Sequence, residues 1–319
     1  MIFLSWLLLP LAALAGVVFW TRFPVEDSAE SAVEAVLAIT FLSVSLLGFV
    51  GLALAELGRL TPLLLCGALG LLTAACACLR RRALGIGAWE SESWLLVAVA
   101  LLVAIVLAPA SSDLYGGLDP GTYANAAAWL ADHGQITMRL KELAEIPPET
   151  RSLFTWIPEN APVIARGFYI SDWARGEVTP QFFHLFLVYL AIGKWLGGMR
   201  GLFFVVPVLG VFSTWAVMLF SRKFLGAKWA ALVGLLLSLH LAQVWCARNP
   251  YSELPSQWAA FVALLGLWRA RETGELRWGV LAAIGLGVCF LVRRAVTKNS
   301  CPRADMSAMK NRKKCTCLG

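Results

Sequence analysis

Apolar residues fill this chain in solid blocks rather than in stripes. Runs at about 33–55, 60–79 and 93–110 each approach the length of a membrane span, and Met1–Trp20 precedes them. That first run has no basic n-region and no small-residue cleavage site, so it reads as a transmembrane helix rather than a removed signal. Apolar runs resume at about 181–198, 202–220, 227–246, 255–268 and 278–292. The pattern predicts an all-α polytopic membrane protein in four parts. These are N-terminal transmembrane helices (1–110), a polar external loop (111–180), further transmembrane helices (181–292) and a basic tail (293–319).

The loop opens with a sharp helix signal. Asp119 can cap a helix and Pro120 suits its first position. Tyr123, Ala126, Ala127 and Leu130 then recur at i, i+3, i+4 and i+7, and Gly134 follows His133 as a stop. This spacing predicts a short amphipathic helix lying on the membrane surface with its apolar face down. Residue chemistry alone leaves Asp119 equally open to two roles, a plain cap or a working carboxylate. Further on, Pro147, Pro148, Pro158 and Pro162 make the middle of the loop irregular. The loop is too small for an independent enzyme domain and is expected to fold back on the membrane mouth.

Charge sets the orientation. The Arg80-Arg81-Arg82 cluster marks 80–92 as cytoplasmic, which sends 111–180 to the other side. That loop holds nine acids and five bases, a balance that suits a non-cytoplasmic segment. Two full crossings at 181–198 and 202–220 would put the basic turn 221–228 outside, against the positive-inside bias. Gly193, Gly197, Gly198 and Gly201 interrupt those runs, so one of the two is expected to re-enter or lie along the interface. The turns 221–228 and 269–277 are then cytoplasmic, and Arg248, Tyr251 and Glu253 reach the same outer face as Asp119.

Composition supports the class. Hydrophobic residues make up 59% of the 319 positions and charged residues 15%, well below the roughly one quarter of soluble domains. The net charge of +7 resides wholly in the tail, where eight Lys/Arg face Asp305 alone. No nucleic-acid role follows from it. The tail reads either as a disordered segment binding anionic lipid or as the end of a truncated or shifted reading frame. None of the eight cysteines lies in the polar loop, and neither a disulfide framework nor a zinc site is implied.

Three groups at the outer mouths carry candidate chemistry: Asp113 and Asp119 with Tyr123; Gln181 and His184 in Thr179–His184; and Arg248 and Glu253 flanking a helix break. Gln181 and His184 share a face if helical. Each has a plain alternative. His184 suits an interface, Arg248 can snorkel from a helix end, and Glu253 favours a helix N-terminus. Their arrival on one side is the stronger signal. Coupled transport needs ionisable groups deep in the runs, whereas Glu34 and Glu56 sit at run ends and only His240 lies within one.

The segment Gly116-Gly117-Leu118-Asp119-Pro120-Gly121-Thr122-Tyr123, with its Ala-rich continuation, resembles the first-external-loop motif of GT-C class membrane glycosyltransferases. That class includes the protein O-mannosyltransferases and lipid A aminoarabinose transferases. Thr179–Leu185 is similar to their next element, a Pro-containing helix start, and Ala247–Glu253 to their later Arg-x-x-x-x-Glu/Asp element. The resemblance covers about 111–292. It implies a GT-C-like helix bundle whose large first external loop carries surface amphipathic helices. It also implies inverting transfer of a sugar from a polyprenyl-phosphate carrier to a glycan, lipid or protein acceptor, on the non-cytoplasmic face of the cell membrane.

In that scheme Asp119 is the general base and Asp113 an auxiliary carboxylate. Arg248, with His184, holds the lipid phosphate. Tyr123 and Gln181 contact substrate, and Glu253 orients the acceptor or helps hold a divalent ion. Metal use varies across the class, so no ion is assigned. Residues 1–110 add helices that the best-known members lack before the motif, and members usually continue past the equivalent of Arg293. A truncated, inactive or non-catalytic membrane protein is therefore the alternative reading, and a transporter the more distant one.

Overall fold

The computed structural model describes residues 2–21, 32–78, 90–110, 118–156, 163–164 and 167–292. The expectations for Arg80–Arg82, Asp113 and the tail 293–319 concern residues outside that set. The first apolar blocks become α1 (Ile2–Trp6), α2 (Leu8–Trp20), α3 (Ala32–Glu56), α4 (Pro62–Cys78) and α5 (Ser93–Leu107). The polar segment holds α6 (Leu118–His133) and two single turns, α7 (Lys141–Ala144) and α8 (Arg151–Phe154). After it come α9 (Leu185–Leu225), α10 (Ala227–Leu239), α11 (Leu241–Arg248), α12 (Glu253–Thr273) and α13 (Leu276–Val292).

By length and composition α3 and α9 are apolar enough to cross a membrane, and α10 with α11 makes a third candidate if the bent pair is one span. The outward faces are apolar too. Leu71, Leu101, Ile105, Leu236, Leu286 and Phe290 are all more than half exposed. Such a surface is costly in water and natural against lipid tails. The run 227–246, expected as one helix, instead bends by 64°. His240 is extended there (φ −67°, ψ 128°), and its carbonyl accepts the Val244 N–H that begins α11. His240 therefore sits at a helix break rather than inside a span.

The core is seamed by aromatic contacts. Trp258 of α12 meets Phe41 of α3 edge-on at 5.0 Å and stacks on Phe212 of α9 at 5.2 Å. Each such pair adds about 0.5–1.5 kcal/mol beyond its burial. Contacts at the helix ends fix their directions. Glu34, in the first turn of α3, is 2% exposed and lies 2.7 Å from Lys223 Nζ and 3.1 Å from Arg269 Nε. Beside it, Arg222 pairs with Glu90 just before α5. Arg277, 1% exposed, bonds Glu275 at 2.7 Å and lies over the Trp20 ring at 5.0 Å. The starts of α3, α5 and α13 thus meet the ends of α9 and α12. It follows that Glu56, Leu107 and Glu253 lie at the opposite end.

The glycine-interrupted stretch is a corner. Gly197 and Gly198 leave helical geometry, Gly198 at φ +62°, a conformation that favours glycine. In a straight helix Gly193 and Gly201 would stand roughly 12 Å apart. Instead a Cβ on Gly193 would come within 2.7 Å of the Gly201 carbonyl oxygen. The chain doubles over, leaving a short arm before the corner and a long arm after it. The short arm, Leu185 to Leu196, rises only about 18 Å and cannot cross a bilayer core of about 30 Å. One of the two runs was expected to fall short of a crossing, and the run before the corner is the one too short.

The loop departs from an all-helical expectation. Five short strands between Met138 and Pro180 form an antiparallel sheet in the order β1-β5-β4-β3-β2. Its strands are β1 (Met138–Arg139), β2 (Thr155–Trp156), β3 (Val163–Ile164), β4 (Phe168–Asp172) and β5 (Glu177–Pro180). The longest pairing joins β4 and β5 across the turn at 173–176, with Ile170 opposite Val178. Aromatic and β-branched residues suit such a ribbon.

Two outcomes test the packing. Gly193→Leu should lower stability in detergent by about 1–3 kcal/mol through overpacking at the corner, measured by thermal unfolding. Gly67→Ala, where a Cβ meets open space, should change stability little; equal losses would contradict the doubled-over arms. Glu34→Gln should cost about 3 kcal/mol by leaving buried cations underpaired. Exposed Glu92→Gln should stay within about 0.5 kcal/mol.

Candidate functional site

Asp119 lies in the first turn of α6, which begins at Leu118, so it is one residue inside the helix rather than strictly at its cap. A carboxylate there faces the unpaired N–H groups of the helix start and is favoured by the macrodipole. Tyr123, Ala126, Ala127 and Leu130 share one face as their spacing predicts, but that face is buried in the protein rather than laid on the membrane surface. Gly134 closes the helix by donating its N–H to Leu130, at 2.8 Å. The face they form rests on the short arm of α9. Tyr123 stacks on Phe182 at 4.6 Å and meets Phe186 edge-on at 4.9 Å. At the far end of α6, Lys194 Nζ bonds Asp132 at 2.6 Å and Trp195 Nε1 donates to the Ala131 carbonyl at 2.9 Å. The two segments therefore run side by side in the same direction.

The element Thr179–His184 differs from the expected helix start. Thr179 and Pro180 end β5, and α9 begins only at Leu185. Gln181 and His184 are thus not two residues on one helical face. The Gln181 N–H instead donates to the Gly167 carbonyl at 2.8 Å. Gly167 in turn lies tight against Thr122, where an added Cβ would fall 2.8 Å from Thr122 Cγ2. This draws Gln181 toward the Asp119 turn of α6. Pro180 suits the strand end because it has no N–H to give to a ladder.

His184 has a partner that the linear pattern conceals. Its Nδ1 lies 2.6 Å from Glu56 Oε1, across 128 residues of sequence. Glu56 is the last residue of α3, and the following Leu60 N–H donates to the Gly134 carbonyl at 2.9 Å. The end of α3 is therefore tied both to the end of α6 and to the start of α9. In the sequence Glu56 is only an acid at the edge of an apolar run. Its position at the end opposite Glu34 was the available signal.

The third group stands apart. Arg248 ends α11 and reaches toward α5, its Nη2 3.4 Å from the Val106 carbonyl oxygen. Its Nε is buried without a hydrogen-bond partner among the described residues. A guanidinium with an unused N–H in a shielded place is suited to an anion with several oxygens. Tyr251 and Glu253 follow a backbone turn, with Glu253 heading α12 and partly buried. α6 packs on α9 and β5, whereas α11 packs on α5, α9, α10 and α12. The candidates therefore fall into two groups at one end of the molecule, Asp119, Tyr123, Gln181 and His184 in one, Arg248 and Glu253 in the other, with α9 as their common neighbour.

Among the described residues no three His, Cys, Asp or Glu side chains gather as a metal site. Comparison of the chain with protein-family models, with curated proteins and with solved structures finds no match.

Proposed function

We propose that this chain is a multi-pass membrane glycosyltransferase of GT-C type, moving a sugar from a polyprenyl-phosphate carrier to an acceptor on the non-cytoplasmic side. What supports the reading most is the pairing of two chemistries at one end of an apolar helix bundle. A carboxylate leads a surface helix, and a shielded guanidinium with an unused N–H stands beyond α9.

The reaction follows from those groups. Asp119 accepts the proton of an acceptor hydroxyl as that oxygen attacks the anomeric carbon. The bond from that carbon to the phosphate oxygen breaks, and the electron pair leaves with the lipid phosphate. Charge builds on the sugar in an oxocarbenium-like state, which a nearby carboxylate favours. Arg248 receives the charge that accumulates on the departing phosphate. Gln181 lines the sugar's approach, Tyr123 packs behind it against Phe182 and Phe186, and Glu253 orients the acceptor or, where a divalent ion is used, helps to hold it. The exposed apolar faces of the bundle keep this chemistry at the bilayer surface, where the lipid carrier resides.

Transfer of labelled sugar from polyprenyl-phosphate donors in membranes tests the reading. Asp119→Asn keeps the size and polarity of the side chain and gives up the charge, at a cost of about 0.3–1 kcal/mol in the first helical turn. Transfer should fall by roughly 100-fold or more while the protein stays folded. Full turnover by a well-folded Asp119→Asn chain would reduce the residue to a helix-start carboxylate.

Orientation is checked separately by single-cysteine labelling on a cysteine-free background. Cysteines at Leu153 and Lys228, both exposed, should react from opposite sides of sealed membranes. Labelling of both from one side would overturn the assignment of 111–180 as external and 221–228 as cytoplasmic.

A further inference from the structure

The sugar-transfer scheme gives His184 the same task as Arg248, holding the lipid phosphate, and the contacts of His184 argue against that. In the neutral ring, a carboxylate 2.6 Å from Nδ1 favours the tautomer with the proton on that nitrogen and the lone pair on Nε2. Nε2 makes no hydrogen bond to any described residue. The Glu56 and His184 side chains are 56% and 25% exposed, so both remain accessible. A lone pair backed by a carboxylate attracts hydrogen-bond donors, such as hydroxyl or ammonium groups. It is a poor place for a phosphate, whose negative charge would meet that of Glu56. Arg248 has the opposite character, with N–H groups to give, one of them unused.

We propose that Glu56 and His184 form the acceptor-binding half of the outer site, and that Arg248 alone anchors the lipid phosphate. The assignment rests on the sugar-transfer reading. Glu56 is a positioning residue: it acts through His184, holding the ring in the tautomer whose Nε2 accepts a hydrogen bond from the acceptor's hydroxyl or ammonium group. Thr122, Gly167 and Gln181 join the turn before His184 to the first turn of α6, so the same short stretch of chain carries both this nitrogen and the approach to Asp119. The site is then divided by charge, with hydrogen-bond acceptors at the Glu56 group and donors at Arg248.

Two measurements on the full chain in nanodiscs test the division. With 15N-labelled histidine, the His184 ring should show a protonated Nδ1 and a bare Nε2, identified by the signals lost in His184→Gln. At constant pH its Nε2 resonance should move on addition of methyl α-D-glucopyranoside, a hydroxyl donor, and stay in place with inorganic phosphate. In Glu56→Gln the tautomer should redistribute. A protonated Nε2 in the wild-type chain, a response to phosphate instead of the glucoside, or no response to either overturns the proposal.

Binding of undecaprenyl phosphate is the second arm. Arg248→Gln should weaken it by tenfold or more, whereas Glu56→Gln and His184→Gln should each change it by less than twofold. Equal losses in all three overturn the division of labour. Absence of binding by the wild-type chain counts against the sugar-transfer reading itself, and the histidine spectra then decide on the pair alone.

Discussion

A carboxylate that cannot reach water dictates where the helices of this protein meet. Glu34 is 2% exposed at the start of α3, and an unpaired ion there would cost several kcal/mol. Lys223 and Arg269 answer it from α9 and α12, so three helix ends from distant parts of the sequence must converge on one point. Rigid helices carry that registration across the bundle. From Glu34 to Glu56, α3 spans roughly 33 Å at 1.5 Å per residue. The place at which Glu56 can meet His184 is thus fixed largely by an ion pair at the other end.

The polar layer that holds α6 and the sheet is assembled on the short arm of α9. α6 lies along it, held by the Tyr123 stack at one end and by Lys194 and Trp195 at the other. The small sheet of 138–180 hangs from the same arm, because β5 runs directly into it. Polar groups are thereby concentrated where the helices stop. The ionisable groups of the bundle lie close to helix ends, where the buried ones, Glu34, Arg269 and Arg277, are met by ionic partners and the rest can reach water or lipid headgroups.

Much of this was legible in the sequence because long apolar blocks have few alternatives to helix in a low-polarity setting. The buried face of α6 followed from the spacing of Tyr123, Ala126, Ala127 and Leu130, and the corner from a crowd of glycines and a conflict in charge parity. The strands escaped notice because they run only two to five residues, too short to show alternation, and pair with partners chosen by the fold. Pro180 looked like a helix start, since proline serves there as readily as at a strand end. The contacts of Glu56 with His184 and of Glu34 with Lys223 cross so much sequence that no periodicity records them. The chemistry of Asp119 stands on a motif and a location, and Arg248's unused N–H was invisible until its neighbours were known.

The meeting of Gly193 and Gly201 also makes the corner stiff. Where side chains separate two helices, changes of rotamer let one slide against the other. Here main chain rests directly on main chain, and peptide groups have no rotamers with which to yield. The two arms of α9 are thus in direct main-chain contact at the corner. A tilt of the long arm, whose far end is held by Lys223 to Glu34, would therefore press on the short arm and so on α6. Events at one face of the bundle have a mechanical route to the carboxylate at the other.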